Sequence, residues 1–270
     1  MGRNPARVDP KALKTPRVVA YVLLGLLAFA IFLIVAAPAS LLGDAVARAS
    51  RETIVITGTS GSVWHGSGDL EMRPVSSPPL RIGRLDWTIN PLWLVAGKID
   101  VNVSLTGSGA ALTGAARIGF GSLALRNLKA TLPAQLVPVF YAPAELLAPE
   151  GIVKVNSDSF SIVRDTRVEG SIELNWNNAA SGISDIKPLG DYRLVLSGRN
   201  ASATIKLETL RGSLALAGDG QYALNPVSLS FNGTGRAVES AEALEPVLRM
   251  MGPKGPGGVH GFQLRWSKSR

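Results

Sequence analysis

The sequence predicts a mainly β protein: an N-terminal single transmembrane helix, then a curved antiparallel β-sheet domain, gutter-like or sandwich-like, with a few short helices. Three observations carry this. Residues 18–37, VVAYVLLGLLAFAIFLIVAA, contain no charge. From Thr53 onward apolar residues recur with a period of two. Glycine-rich clusters punctuate those alternating runs.

The charge-free run comes first. Twenty helical residues at 1.5 Å each span the roughly 30 Å hydrocarbon core of a bilayer. Before it stand Arg3, Arg7, Lys11, Lys14 and Arg17 against Asp9 alone, whereas Asp44, Arg48, Arg51 and Glu52 after it are mixed. The positive-inside rule then makes 1–17 a cytoplasmic basic tail, 18–37 an anchor, and the remainder a domain on the far side. Ala37-Pro38-Ala39 loosely resembles a signal-peptide cleavage site, but the apolar run is longer than a signal peptide's and proline is awkward there.

Of the net charge of +8, the tail holds half: removing its five basic and one acidic residue from 28 and 20 leaves 23 and 19, or +4. No Lys/Arg block follows Arg17, so a nucleic-acid surface is not expected. The chain has no cysteine, which excludes disulfides, thiolate metal sites and a cysteine nucleophile.

Residues 38–52 read as a juxtamembrane helix or linker, and 53–270 as the β domain. Ile99, Val101, Val103 and Leu105 alternate with polar residues, as do Ile172, Leu174 and Trp176. The same holds for Tyr192–Leu196, Ala203–Leu207, Val227–Phe231 and Phe262–Trp266. Strict alternation means strands with one buried and one wet face, the antiparallel pattern. Clusters such as Thr106-Gly107-Ser108-Gly109 and Asn232-Gly233-Thr234-Gly235 supply hairpin turns. Helical segments are few: 133–151, broken by prolines, and 240–252, with Ser240 as N-cap and Gly252 as stop. Two β segments, 53–130 and 151–235, each hold a Gly-Ser-Val/Leu pattern followed by spaced glycines. The match is imperfect, and glycine-flanked strands recur by chance.

Catalytic chemistry is not expected. The stretch 58-GTSGSVWHGSGDL-70 lacks the lysine and following helix of a phosphate loop, so Gly58 and Gly61 read as turn residues, Val63 to His65 as a strand, and Gly66 to Gly68 as the next turn or bulge. His65 and His260 are the only histidines and show no metal-ligand spacing. Asp158, Asp165, Asp185 and Asp191 sit at or beside expected turns. No catalytic residue, metal site or cofactor is predicted. The five tryptophans, Trp64, Trp87, Trp93, Trp176 and Trp266, are candidates for core packing of a curved sheet or for an exposed partner surface.

The order of features resembles the general secretion pathway protein N family of the bacterial type II secretion system. The resemblance runs through the basic tail and anchor, 61-GSVWHGSG-68, 85-LDWTINPLWL-94 and 132-LPAQLVP-138. It continues with 150-EGIVKV-155, Trp176-Asn177-Asn178-Ala179, 188-PLGDYRLVL-196, a Pro/Gly-rich break and a terminal strand. It covers essentially the whole chain, through order and spacing rather than any one motif. It implies an accessory inner-membrane component with a periplasmic C-terminal domain, serving export of folded exoproteins across the outer membrane. Its implied partners are platform subunits of the inner membrane and the secretin. A second reading stays open: an AsmA-like lipid-binding or lipid-transfer protein with an apolar β groove, for which small residues such as Ala201, Ala203, Ala215 and Ala217 would leave the concave face open.

Overall fold

In the computed structural model, which describes residues 15–73, 79–164 and 166–267, thirteen strands form one antiparallel sheet in chain order. The tail as far as Lys14, and Asp165, lie outside the described residues. The strands are β1 (Ile54–Gly61), β2 (His65–Met72), β3 (Leu80–Asn90), β4 (Lys98–Thr106), β5 (Ala111–Gly119), β6 (Ser122–Pro133) and β7 (Pro149–Val163). There follow β8 (Arg167–Ser181), β9 (Gly190–Arg199), β10 (Ser202–Gly212), β11 (Leu214–Leu224), β12 (Val227–Ala237) and β13 (His260–Ser267). Both β segments recognised in the sequence belong to this one sheet, so a sandwich of two separate sheets is not formed among the described residues.

Register gathers the alternating residues onto a common face. Ile89 stands opposite Val101, Val101 opposite Ala116, and Ala116 opposite Leu125. Farther along, Ala203 faces Tyr222, Tyr222 faces Leu229, and Leu229 faces Trp266. The other face pairs polar groups, for example Asp100 with Arg117 and Glu208 with Arg193. A slip of one residue would invert both faces, which is what fixes the register.

The sheet curls. Leu123 and Ile162 of β6 and β7 line one cavity together with Tyr222, Leu224, Val227 and Trp266 of β11–β13, so distant strands meet across the apolar face. Consecutive antiparallel pairing also sorts the connections onto two rims. The upper rim carries the β1–β2, β3–β4, β5–β6, β7–β8, β9–β10 and β11–β12 turns, and the lower rim carries the others.

Helices are short after the first. α1 (Thr15–Val35) has exposed side chains throughout its described part, and α2 (Ala39–Ala49) packs on β1, where Gly43 approaches the Ile56 carbonyl. Among the described residues no helix is long and apolar enough to cross a membrane. α3 (Val137–Phe140) lies between 3-10 turns at Ala134–Leu136 and Ala142–Leu147, the proline-broken segment expected. α4 (Ala241–Met251) lies between β12 and β13.

Two local expectations are corrected. Ser240 precedes α4 but gives no side-chain cap, because its left-handed backbone (φ 54°) is not the extended conformation from which an N-cap oxygen reaches the first turn. In the 58–70 stretch the turn is Ser62-Val63-Trp64, while Gly66 and Gly68 lie within β2. The glycines are needed in the strand for closeness: a Cβ on Gly66 would sit 2.5 Å from the Trp87 ring, and one on Gly68 2.5 Å from Ile56. Gly58 does mark a bulge, with φ 57° and a register shift between Thr57 and Ser60.

Three buried clusters sit on the apolar face or at its lower rim. α2 and Leu136 cover Ile56, Leu70, Met72, Ile82 and Trp87 at the β1–β5 end. Leu244, Val247 and Leu248 of α4 cover Leu189 and Leu214. Phe160, Val168, Ala203 and Leu224 meet across the curl.

Candidate functional site

The junction of α1 with the sheet is built from the 58–70 stretch. The Trp64 indole Nε1 donates to the Ile34 carbonyl in the last turn of α1 at 2.9 Å, and the Val63 amide donates to the Ala37 carbonyl at 2.9 Å. Ser62 Oγ accepts from the Trp64 and His65 amides, shaping the turn. The turn is pinned to β3 by two more bonds: the Ile89 amide to the Trp64 carbonyl at 2.7 Å, and the Trp87 indole to the Val63 carbonyl at 3.0 Å. The stretch is thus a coupling between the helix and the sheet, a role its sequence did not suggest.

The five tryptophans divide. Trp87 is 4% exposed and is the large residue of the first cluster. Trp64 packs partly buried against the same cluster. Trp176 is half-buried, donates to the Glu150 carbonyl at 2.9 Å and leans on Tyr192 with ring centres 6.0 Å apart. Trp93 lies under the Arg117 guanidinium, 3.7 Å from its ring centre, and Trp266 remains 52% exposed at the end of β13. No single site collects them.

Sequence reasoning missed two polar clusters because they join residues on different strands. On the polar face, buried Asp100 accepts from Arg117 and, at 2.8 Å, from Arg126. Asp191, expected at or beside a turn, is the second residue of β9, where it accepts from the Asn178 amide at 2.6 Å and pairs with Arg211. The Asn178 amide, and then Arg211, hold its carboxyl below the usual carboxylate range against the opposing cost of burial. Asp158 is exposed within β7. Burial next to Asp191 pushes the Tyr192 hydroxyl up, and it donates to the Leu214 carbonyl at 3.0 Å. These groups brace strands and line no cleft. His260 is buried, with Nδ1 2.8 Å from the Gly252 carbonyl, and stays far in sequence and structure from exposed His65. Among the described residues no group of three His, Asp or Glu is placed to hold a metal ion.

What remains is surface. The apolar face holds a cavity of about 650 Å³ near the upper rim, lined by the β6–β7 and β11–β13 residues named above. β13 pairs with β12 and, at its first residue His260, with Lys254; no further strand pairs with it among the described residues, and Leu264 and Trp266 stand half-exposed along it.

Fold and surfaces define a class: a single-sheet, curled antiparallel β protein that presents a face, an edge and a rim of turns. The model of the type II secretion system protein N family matches residues 52–262, and the chain belongs to that family. Membership makes it a component of a type II secretion system, an accessory one not known as an enzyme, associated with the membrane and with other components of that system. No curated protein and no solved structure matches it.

Proposed function

We propose that the chain is an accessory inner-membrane component that acts by protein contacts in the periplasm during export of folded exoproteins. In this reading 1–17 is cytoplasmic, 18–37 is the anchor, 38–52 joins it to the sheet, and 53–270 is periplasmic. Support for the anchor comes from the charge-free run 18–37 and from the described side chains of α1, which find no cover on the sheet.

The observation that carries the contact mode is β13. An unpaired strand edge offers a row of N–H and C=O groups to a partner strand, and Leu264 and Trp266, 55% and 52% exposed, stand beside it as apolar anchors. The platform subunits and the secretin are the partners this reading names. Deletion of the gene should leave exoproteins in the periplasm, and Leu264→Asp with Trp266→Asp should fail to restore export while the protein accumulates normally. Unchanged export on deletion rejects the reading.

A second reading, acyl-chain binding on the apolar face, is favoured by one observation: the cavity beside Trp266 is lined by Leu123, Ile162, Tyr222, Leu224 and Val227. Photo-crosslinking with a diazirine-bearing phospholipid tests it. Label in peptides containing Leu123 or Tyr222 supports it, and label confined to α1 rejects it.

A further inference from the structure

Apolar residues outside the clusters are exposed in several places, among them Phe140, Tyr141 and Leu146 of the β6–β7 connection on the lower rim, and one set lies beside α1. On the upper rim, the β3–β4 connection presents Leu92 at 77% and Val95 at 93% exposure, and the β5–β6 turn presents Phe120 fully exposed. The β1–β2 turn on the same rim carries Trp64, bonded to the end of α1. The three remaining turns of this rim carry no large apolar side chain at their tips: Arg164 and Thr166, Arg199 and Asn200, Asn225 and Pro226. At 4.7–4.9 Å per strand, the three apolar turns lie within about 25 Å of β1 along the sheet. Apolar tips therefore occur on the side of the rim where α1 joins, and stop where the sheet leads away from it.

The tips are held out rather than loose. Asn90 Oδ1 accepts from the Leu92 amide at 3.1 Å, Pro91 starts the 3-10 turn and left-handed Gly97 closes it. Behind the turn Trp93 is clasped by Arg117, and Arg117 by Asp100. Phe120 occupies a two-residue turn between paired Gly119 and Ser122, with Gly121 at φ 70°. A loop that merely tolerated apolar residues would fold them back onto the sheet. These three segments, 61–65, 91–98 and 119–122, contain no carboxylate, and Lys98 is their one fixed charge.

We propose that this half of the upper rim is a membrane-seating surface: Leu92, Val95 and Phe120 enter the interface of the bilayer in which α1 stands, with Trp64 at headgroup level. The inference rests on the reading of α1 as an anchor. Apolar side chains presented on a surface with basic and no acidic charge insert about 5–10 Å into the boundary between headgroups and acyl chains, and tryptophan favours that level. Seating fixes the sheet's tilt on the membrane, since a helix and a row of tips define a line of contact where a helix alone defines a point.

The absence of native cysteine makes the test direct. Single-cysteine variants Val95→Cys, Phe120→Cys, Asn225→Cys, Ser108→Cys and Leu26→Cys of the full chain are labelled with an environment-sensitive fluorophore. They are reconstituted in nanodiscs of phosphatidylethanolamine and phosphatidylglycerol, with or without spin-labelled lipid. The expected result is a blue shift and loss of emission to spin-labelled lipid at Val95 and Phe120, as at Leu26. Asn225 on the far turn of the rim and Ser108 on the lower rim should show neither. If Leu26 is quenched while Val95 and Phe120 match Asn225, the seating surface is overturned and the anchor stands. If Leu26 is itself unquenched, the anchor reading falls first. Protection of Val95 and Phe120 from an aqueous quencher without quenching by lipid would assign the patch to a protein or a second copy, and overturns the proposal.

Discussion

The two rims of the sheet differ in how they use apolar residues: the lower rim both buries and exposes them, and the turns of the upper rim only present them. On the lower rim, the β6–β7 and β12–β13 connections are long and helical; they bury Leu136, Leu244 and Leu248 at 1%, 0% and 3% exposure and leave Phe140, Leu146 and Met250 outward. On the upper rim, connections are short and Leu92, Val95 and Phe120 stand free. The difference teaches that hydrophobicity in this chain has two destinations. One is the protein's own core, reached where a connection is long enough to fold back over the apolar face. The other is the protein's surface, which the long connections reach with their outward sides and the short upper-rim turns reach because they cannot fold back.

Substitutions can break that contrast, beginning with the largest effect. Trp87→Ala should cost about 3–5 kcal/mol, because the ring fills the space above Gly66 and its N–H holds the Val63 carbonyl. A thermal melt of the full chain reads it, and an unchanged midpoint would remove Trp87 from the core. Leu244→Ala should cost about 2–5 kcal/mol by emptying the seat of α4 on the lower rim, and increased proteolysis within 238–259 would localise the loss.

Asp191→Ala should cost about 1.5–3 kcal/mol, the range for a hydrogen bond to a charged group, with the β8–β9 junction at Asn178 loosened most. The same carboxylate gives a pH signature. Its folded-state pKa lies below the unfolded value, so its stabilisation is present above about pH 4 and is lost as pH falls through the depressed folded value. The wild-type and Asp191→Ala melting temperatures should converge below that range. A difference that stays constant down to acid pH would show that packing, not charge, sets the effect.

Trp64→Ala belongs lower on the scale. Its ring is only partly buried, so a loss near the typical mutational value of about 1 kcal/mol is expected. Amide exchange at Val63 should quicken, since the α1 junction loses one of its two bonds. Smallest of all, Val95→Ser and Phe120→Ser should shift stability by no more than about 0.5 kcal/mol. A large loss at either would mean that the tip packs within the protein, and would erase the contrast between the rims.

Much of the sheet was legible because a period of two is a local signal. The runs at Ile99–Leu105, Val168–Trp176 and Phe262–Trp266 fall within β4, β8 and β13, and the proline-broken 133–151 segment became short turns as its composition required. The 58–70 stretch misled by one register. Its glycines suggest turns, and only the ring of Trp87, arriving from β3, makes Gly66 a strand residue. The rim was half visible: Phe120 between two glycines, and the sequence Asn-Pro-Leu-Trp-Leu-Val-Ala-Gly between strands, both place apolar residues where turns are usually polar. Neither segment says which other turns share its side of the sheet.

The sequence by itself determined the mainly β character, the two faces and the charge-free N-terminal run, because each depends on residues next to or near one another. Tertiary structure alone decided that one sheet carries all thirteen strands, that Trp64 joins it to α1, and that the turns bearing Leu92, Val95 and Phe120 share the rim with that helix. Those facts depend on pairing between strands and on the curl of the sheet, and no periodicity along the chain encodes which strand ends lie side by side.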